Sequence, residues 1–295
     1  MPILGLVCQT TSQEVRYRTI TRTRLLSLPD DRRDETLGEL YRDNARRLQA
    51  ALEYCEAHII GMYRMPTGLF PFMDHPLGAP LMHEPKLRKA LKRAGDFARS
   101  KNIRLVSHPD QFVVLNSERP EVVENSVRVL TAQAKLFDLL ELPLTPWAAI
   151  TLHGGKRDRG QQLIDCIRML PFEIRDRMVL ENDERAYGAE DILRICRTAG
   201  VPMVFDAHHH LVKERLASYD DESVVRYTAE AAQTWNPVGT QIVHISNGAT
   251  SLHDARHSDT IAKIPGAFST VPYIEVEAKA KEQALFALRT MTGFA

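Results

Sequence analysis

The strongest constraint on the fold of this chain is a repeated alternation of short apolar runs with longer amphipathic stretches. Each run is rich in apolar or β-branched residues and is bounded by Gly, Pro, Asn or charged residues, which is typical of strands buried on both faces. The predicted strands are Ile3–Cys8, His58–Tyr63, Arg104–His108, Ala148–His153, Met178–Glu181, Pro202–Asp206, Gln241–Ile245 and Tyr273–Glu277. Eight strands that alternate with helical patterns predict an α/β protein with a (β/α)8 barrel, or TIM barrel.

Several stretches between the predicted strands carry apolar residues at helical spacing. The predicted helices cover residues 37–55, 86–101, 122–140, 191–196 and 223–235, the third with Pro120 and Glu121 in its first turn. No GxGxxG motif follows a strand, which disfavours the competing doubly wound sheet and a bound dinucleotide. Because the chain has 295 residues and no Ser/Gly linker, it is expected to form a single domain over residues 1–295.

Composition excludes several classes of protein. The 38 Lys and Arg residues balance 38 Asp and Glu, which excludes binding to nucleic acid by bulk charge alone. The chain has no long apolar run that would span a membrane, and its first residues do not have the pattern of a signal peptide. The 4 cysteines are scattered without CxxC spacing, which indicates reduced thiols and predicts a cytoplasmic protein.

Residues of the types that bind metals follow six consecutive predicted strands. Active sites of (β/α)8 barrels lie at the carboxyl ends of the strands. At these ends, from the third strand to the eighth, the sequence has His108, His153, Glu181, Asp206, His244 and Glu277. Burying so many charged and imidazole groups together is costly unless cations pair them. Because the set contains no thiolate, it predicts a site for Zn²⁺ or Mn²⁺.

The register of two segments stays open at this point. Strand alternation is expected to direct only one of Glu275 and Glu277 inward, and Glu277 is preferred. Of the three consecutive histidines at 208–210, at most two are expected to face the barrel mouth, which leaves the remainder at the surface. His75 and His257 lie in loops after the second and seventh strands and are further candidates.

Several motifs together resemble those of the UV damage endonuclease family. They are Phe72-Met73-Asp74-His75-Pro76, Ser107-His108-Pro109-Asp110-Gln111-Phe112, His153-Gly154-Gly155, Leu180-Glu181-Asn182-Asp183-Glu184, Asp206 to His210, and Val276-Glu277-Ala278-Lys279-Ala280-Lys281-Glu282. The resemblance extends from about Leu4 to Lys281. It implies a metal-dependent barrel nuclease, similar in its site to apurinic endonucleases of the endonuclease IV type. Such an enzyme nicks DNA immediately 5′ to cyclobutane pyrimidine dimers and (6-4) photoproducts, leaving a 3′-hydroxyl and a 5′-phosphate.

The resemblance also implies the ligand set and settles both open choices, in favour of His209 and of Glu277. The implied metal ligands are His75, His108, His153, Glu181, Asp206, His209, His244, His257 and Glu277. Together they would hold up to three divalent ions, with Mn²⁺ preferred and Zn²⁺ or Mg²⁺ as alternatives. The expected catalytic residues are Glu181, Asp206, His244, Glu277 and Lys279. Lys279 would steady charge in the transition state, or would serve as a structural ion-pair partner.

Double-stranded DNA containing UV lesions is the expected partner. The resemblance implies that Gln111 and Phe112 probe the lesion. Arg16, Arg18, Arg22 and Arg24 lie in the loop after the first strand with no acid among them. This run is also typical of a solvated face, but beside the barrel mouth it would suit phosphate contacts, as would Arg64 just beyond strand two.

The chain departs from the family pattern at three positions. Family members carry a Tyr and an Asn near the end of the first strand, where this chain has Leu6 and Thr10. Thr10 is nevertheless expected at the DNA. A lysine that precedes the seventh-strand histidine by two residues is Ile242 here. These departures leave the lesion range and the metal preference open.

Two other functions remain as alternatives, namely a metal-dependent sugar isomerase with a similar barrel and a protein that binds lesions without cleaving DNA. No nucleotide cofactor is expected, and a monomer is the default.

Overall fold

Eight parallel strands pair in chain order and close into a barrel through the contact between the first and the last strand. The computed structural model describes residues 1–237 and 239–295. The strands are β1 Ile3–Val7, β2 Met62–Met65, β3 Arg104–Ser107, β4 Ile150–His153, β5 Met178–Glu181, β6 Met203–Asp206, β7 Ile242–Ile245 and β8 Tyr273–Val276. The predicted (β/α)8 architecture is therefore confirmed.

The helices surround the strands and include all five predicted ones. Their bounds are α1 Arg22–Leu26, α2 Asp30–Ala57, α3 Pro85–Ser100, α4 Pro120–Leu139, α5 Gly160–Met169, α6 Phe172–Arg175, α7 Ala189–Ala199, α8 Ala207–Glu214, α9 Glu222–Ala232 and α10 Lys281–Thr292. Short 3₁₀ turns occupy Thr67–Leu69, Ala79–His83 and Gly266–Thr270. In the described ranges, no helix combines the length and the apolar character needed to cross a membrane.

The second strand begins four residues later than predicted. His58 ends α2 instead of opening a strand, because its Nδ1 lies 2.9 Å from the carbonyl oxygen of Tyr54 and its ring stacks on the Tyr54 ring. Ile59 then has a φ of 55°, which turns the chain sharply before β2. The apolar run at 58–63 predicts a strand, but its first residue, His58, caps the end of α2.

Alternate side chains along each strand point into the barrel and outward to the helices. The part of the interior toward the amino ends of the strands contains an apolar cluster of Met62, Val106, Ala149, Val179, Val204, Trp235, Ile242 and Tyr273. Arg104 fills the amino end of the barrel, where its guanidinium donates to the carbonyl oxygens of Trp147, Thr240 and Pro146. The interior near the carboxyl ends of the strands, in contrast, contains buried acidic side chains such as Glu181 and Asp206.

Candidate metal centre

Glu181, the last residue of β5, is at the centre of the cluster at the barrel mouth. It is 1% exposed, and its two carboxylate oxygens face imidazoles from other strands. Oε2 lies 2.7 Å from Nε2 of His108, which directly follows β3, and Oε1 lies 2.9 Å from Nδ1 of His244 in β7. The rings of His153 and His209 are next, with nitrogens 3.8 and 3.6 Å from these oxygens. Residues far apart in sequence thus surround one buried carboxylate.

The ligand-type atoms fall into three adjacent sets, and within each set they lie within 4.8 Å of one another. The sets are His108 with His153 and Glu181, Glu181 with Asp206 and His209, and Asp206 with His244 and Glu277. Glu181 and Asp206 each belong to two sets, so each could bridge neighbouring ions. The structure therefore brings together seven of the implied ligands.

The two loop histidines of the implied ligand set lie outside these three sets. Nδ1 of His257 is 3.7 Å from Oε2 of Glu277, which places its ring at the edge of the cluster. His75 follows β2, and its Nδ1 accepts a hydrogen bond of 3.2 Å from the backbone N–H of Leu77. Both histidines remain predicted ligands, with His257 the nearer to the cluster.

The unpaired atoms of the cluster fit bound divalent cations. Oδ1 of Asp206 accepts the backbone N–H of His209 and so caps α8. Within the described part of the chain, Oδ2 of Asp206 and Nδ1 of His153 are buried without a hydrogen-bond partner. A buried unpaired carboxylate oxygen is costly, and a cation would satisfy it. Imidazoles and carboxylates without thiolates suit Mn²⁺ or Zn²⁺.

The carboxylates and imidazoles of the cluster shift the pKa values of one another. Burial alone would raise the pKa of Glu181, but His244 and His153 hold that pKa well below its ordinary value. Burial lowers the pKa of His209, but the carboxylates of Asp206 and Glu181 outweigh it and raise that pKa to about 9. Without metal, the rings of His209 and His244 therefore carry protons at neutral pH, and bound cations would displace these protons.

Glu275 of β8 and Glu277, which directly follows this strand, both point into the barrel. Oε2 of Glu275 lies 2.9 Å from Nε2 of His244, and Oε1 of Glu277 lies 3.4 Å from Nδ1 of the same ring. The expectation that only one of them faces inward is wrong, because residues two apart on a strand share a face. Because Glu275 and Glu277 are two residues apart, strand alternation in the sequence predicts that both face inward.

Arg64 was expected just beyond the second strand, free to contact DNA, and this placement is wrong. It lies inside β2, where it is 7% exposed, on the inward face with Met62. Its Nε is 3.2 Å from Oε2 of Glu275, and its Nη2 donates to Glu277. The guanidinium is thus enclosed by two carboxylates and is almost completely buried, and a phosphate contact of Arg64 stays a prediction.

The histidine triplet is entirely buried, so the expectation that part of it lies at the surface is wrong. The reason is that α8 begins immediately after Asp206 and turns the other two rings into the packing of the barrel. His208 contacts the hydroxyl of Tyr219 at 2.7 Å, and His210 contacts Oγ of Ser223 at 2.9 Å. His209 is the member of the triplet that reaches the cluster.

Asn182 has a bracing role that the sequence analysis missed. Its side-chain oxygen accepts the backbone N–H of Asp206, and its side-chain nitrogen donates to the carbonyl oxygen of Asp206. Its own carbonyl oxygen lies 2.9 Å from Nδ1 of His209. Asn182 therefore fixes both residues relative to Glu181, and its place directly after Glu181 was the available signal.

The predicted lesion-probing pair lies on the loop that follows β3. Gln111 and Phe112 are both exposed, the latter to 59%, close in sequence to the cluster residue His108. A cleft beside this loop is lined by Gln111, His153, Lys156 and Glu184, among others. An exposed amide therefore shares a cleft with the cluster residue His153, and the exposed ring of Phe112 follows that amide in the loop.

The arginines after β1 are partly held by local contacts. Arg16 donates to Oε1 of Gln13 at 2.7 Å, and Nη1 of Arg18 is 3.6 Å from Asp43. Both side chains remain exposed, whereas the other two arginines of the run open the short helix α1.

Thr10, in contrast, is buried, and its Oγ1 accepts the backbone N–H of Val15. Its hydroxyl oxygen thus holds the loop, and a contact of Thr10 with DNA stays a prediction.

The remaining predicted positions differ in their surroundings. Lys279 follows β8 and is exposed, and its backbone N–H donates to the carbonyl oxygen of Ser258, next to His257. Leu6 faces outward into the core between strands and helices. Ile242 belongs to the apolar layer inside the barrel, two residues before His244. The two apolar departures thus take no part in the cluster.

Comparison with known proteins gives a consistent result. The family model described as UV-endonuclease UvdE matches residues 2–294. The UV DNA damage endonuclease of Deinococcus radiodurans is 46% identical over 297 residues, covering 100% of this chain and 97% of the relative. The protein of the same name from Nostoc sp. is 44% identical, covering 98% of this chain and 90% of the relative. The crystal structure of SacUVDE superposes with a TM-score of 0.80 at 26% identity, covering 99% of both chains. The chain therefore belongs to the UV-endonuclease UvdE family.

Proposed function

We propose that this member of the UV-endonuclease family is a metal-dependent DNA repair enzyme that nicks the backbone immediately 5′ to UV photolesions. Its substrates would be double-stranded DNA with cyclobutane pyrimidine dimers or (6-4) photoproducts. The observation that carries the proposal is the convergence of seven predicted ligands into three adjacent sets joined by Glu181 and Asp206. Mn²⁺ is the proposed ion, with Zn²⁺ and Mg²⁺ as alternatives.

The residues of the cluster provide a suitable site for a phosphodiester. Divalent ions in all three sets would carry more positive charge than Glu181, Asp206 and Glu277 remove, although the chain has zero net charge. When bound, such ions lower the pKa of water enough to provide hydroxide near neutral pH and stabilise negative charge on phosphate oxygens. The shared carboxylates of Glu181 and Asp206 would fix the spacing of the sets. Exposed Lys279 would approach the scissile phosphate from the end of β8.

The proposed reaction is hydrolysis without a covalent intermediate on the protein. The oxygen of water attacks phosphorus in line, and the bond between phosphorus and the 3′ oxygen breaks. The departing oxygen takes up a proton, so the products carry a 3′-hydroxyl and a 5′-phosphate. The buried carboxylates and imidazoles would hold and exchange protons around the attacking water.

Recognition of the lesion is assigned to the exposed loop after β3. Photodimers weaken stacking and pairing, so separating them from the helix costs less than separating normal bases. Phe112 would insert as an apolar wedge and Gln111 would hydrogen-bond to unpaired bases. Exposed Arg16 and Arg18 would contact phosphates and fix the register of the duplex.

We further propose that the enzyme is a monomer and that it works in the cytoplasm. The 4 scattered cysteines, all of them free in the described ranges, support the assignment to the cytoplasm, and the monomer is the default. Size-exclusion chromatography with light scattering, with and without a lesion-containing duplex, measures the oligomeric state directly.

A plasmid assay separates the proposed function from the two alternatives. Supercoiled plasmid is irradiated with UV light and incubated with the protein and Mn²⁺, with unirradiated plasmid as the control. Nicking of the irradiated plasmid alone supports the endonuclease. Retardation without nicking would support a lesion-binding protein, and neither effect would favour a sugar isomerase. Ligation of the nick without end repair would establish the 3′-hydroxyl and 5′-phosphate.

A further inference from the structure

A buried ion pair lies directly beneath the candidate metal centre. Arg64 and Glu275 come from β2 and β8, which flank β1 in the barrel, and both side chains are almost completely enclosed. Nε of Arg64 is 3.2 Å from Oε2 of Glu275, and Nη2 of the same guanidinium donates to Glu277. The pair therefore connects the interior of the barrel to a predicted metal ligand.

Glu275 contacts the nitrogen of His244 that faces away from the ligand set. Nδ1 of His244 is 2.9 Å from Glu181 and 3.4 Å from Glu277, whereas Nε2 is 2.9 Å from Oε2 of Glu275. The two residues are also register partners on β7 and β8. The Nε2 contact is close but imperfectly aligned for a hydrogen bond, so charge attraction contributes to it. Glu275 thus lies across the ring from the position of a cation.

Metal binding requires a defined tautomer of this histidine. An imidazole that binds a cation through one nitrogen keeps its proton on the other, and a carboxylate partner for that proton fixes the tautomer and the ring orientation. We propose that Glu275 is a positioning residue of the metal centre, which holds His244 with Nδ1 directed to the cation, while Arg64 holds Glu275 and Glu277 in place. This inference rests on the metal centre of the proposed function.

The placement of the charges supports a positioning role over simple packing. Immediately below lies an apolar cluster that includes Met62 and Ile242, and Arg104 follows at the amino end of the barrel. Enclosed charges commonly stabilise a protein less than apolar groups of the same volume. The chain nevertheless has the Arg64–Glu275 pair enclosed at the level of the interior where it touches His244 and Glu277. Contacts with the predicted metal ligands therefore explain the position of these charges better than packing of the core does.

Two substitutions of Glu275 test the proposal through metal affinity. Glu275→Met removes the proton acceptor, whereas Glu275→Gln keeps an oxygen that can accept from Nε2–H. Dissociation constants for Mn²⁺ are measured by calorimetry and by electron paramagnetic resonance of the free ion. We expect Glu275→Met to weaken binding by about 10- to 100-fold and Glu275→Gln to fall between it and the parent. Equal affinity of all three proteins, within twofold, would overturn the proposal.

A matched control is available in Glu282, another buried carboxylate. It accepts hydrogen bonds from Thr11 and Ser12 in the loop after β1 and belongs to none of the three ligand sets. We expect Glu282→Gln to leave the Mn²⁺ affinity within twofold of the parent. A loss as large as that of Glu275→Met would show that removing any buried carboxylate weakens the site, and would contradict a specific role for Glu275.

A measurement on the unmodified chain decides the question even if the Glu275 variants do not fold. In protein labelled with ¹⁵N-histidine and loaded with Zn²⁺, NMR distinguishes metal-bound from protonated ring nitrogens, and the His244 signals are assigned by their loss in His244→Asn. We expect a proton on Nε2 and metal on Nδ1, and the opposite tautomer would overturn the proposal.

The same measurements separate this proposal from the proposed function. A parent that binds Mn²⁺ with the expected order of affinities but does not nick irradiated DNA would refute the reaction and leave the role of Glu275 intact. A parent that nicks while the affinity order is absent would refute the role of Glu275 alone.

Discussion

Glu181 and His108 are 73 positions apart in the chain, yet Oε2 of the glutamate lies 2.7 Å from Nε2 of the histidine. The barrel creates this contact, because the carboxyl ends of all its strands meet at one mouth. The second carboxylate oxygen faces His244, so this single buried group joins β3, β5 and β7. It is the residue on which the candidate metal centre depends most.

Replacing Glu181 by Gln should therefore remove most of the activity. The amide cannot bridge two cations with negative charge, and we expect nicking of irradiated plasmid to fall by about 100- to 1,000-fold, which corresponds to about 3–4 kcal/mol. Initial rates at saturating Mn²⁺ measure the effect, with circular dichroism to check folding. A variant that nicks as fast as the parent would show that Glu181 has no role in the reaction.

Phe112 offers a test of lesion recognition that leaves the fold intact. Since its ring is 59% exposed, Phe112→Ala should change the free energy of unfolding by less than about 0.5 kcal/mol. Loss of the wedge should weaken binding to lesion-containing duplex by about 1–3 kcal/mol, measured by fluorescence anisotropy. Phe172→Ala is the matched control, because Phe172 is 53% exposed at the start of α6, which precedes β5 and so lies toward its amino end. Equal affinities of the two variants would argue against a role of Phe112.

Metal binding should release protons at neutral pH. Burial lowers the pKa of His209, but Asp206 and Glu181 raise it to about 9, so the metal-free ring is protonated below that pH. A cation must displace this proton, and apparent Mn²⁺ affinity should therefore rise with pH up to about 9. Calorimetry in buffers of different ionisation enthalpy counts the released protons. The count should fall in His209→Gln, and an unchanged count would contradict this account.

His210 should reduce the stability of the fold in acid. Burial lowers its pKa to about 4, below the value of about 6.5 for an unfolded chain. The folded protein then binds this proton less readily than the unfolded chain does, so stability is lost as the pH falls from about 6.5 toward 4. Between pH 7 and pH 4.5 we expect the parent to lose about 1–3 kcal/mol more than His210→Gln. Urea unfolding at both pH values measures this difference.

His253→Gln provides the comparison for that experiment, because His253 is exposed. Its loss of stability between the two pH values should equal that of the parent within about 0.5 kcal/mol. If His210→Gln behaves in the same way as this control, then the neutral form of His210 is not favoured by the fold.

The sequence allowed prediction of the barrel and of most of the cluster because both follow from strand periodicity. A strand buried on two faces is visible as a short apolar run, and a parallel barrel places all strand ends on one side. His108, Glu181 and Asp206 could thus be assigned to one mouth before their distances were known. Spacing alone does not show which histidine of 208–210, or which of the two glutamates at 275 and 277, is a ligand. The motifs around His209 and Glu277 favour these two residues.

The errors arose where a local boundary or a turn decides the direction of a side chain. The sequence places Arg64 in a loop because the predicted second strand ends at Tyr63, whereas the strand in the structure extends to Met65 and directs Arg64 inward. His208 and His210 were assigned to the surface because nothing in the apolar pattern shows that α8 starts directly after Asp206.

The most direct test of the central claim uses a duplex with one cyclobutane dimer, labelled at either end, and a titration of Mn²⁺. The account predicts a single cut at the phosphodiester immediately 5′ to the dimer, which requires Mn²⁺ and is absent from the undamaged duplex and with Glu181→Gln. An intact damaged duplex at saturating Mn²⁺, or equal cutting of both duplexes, would contradict it.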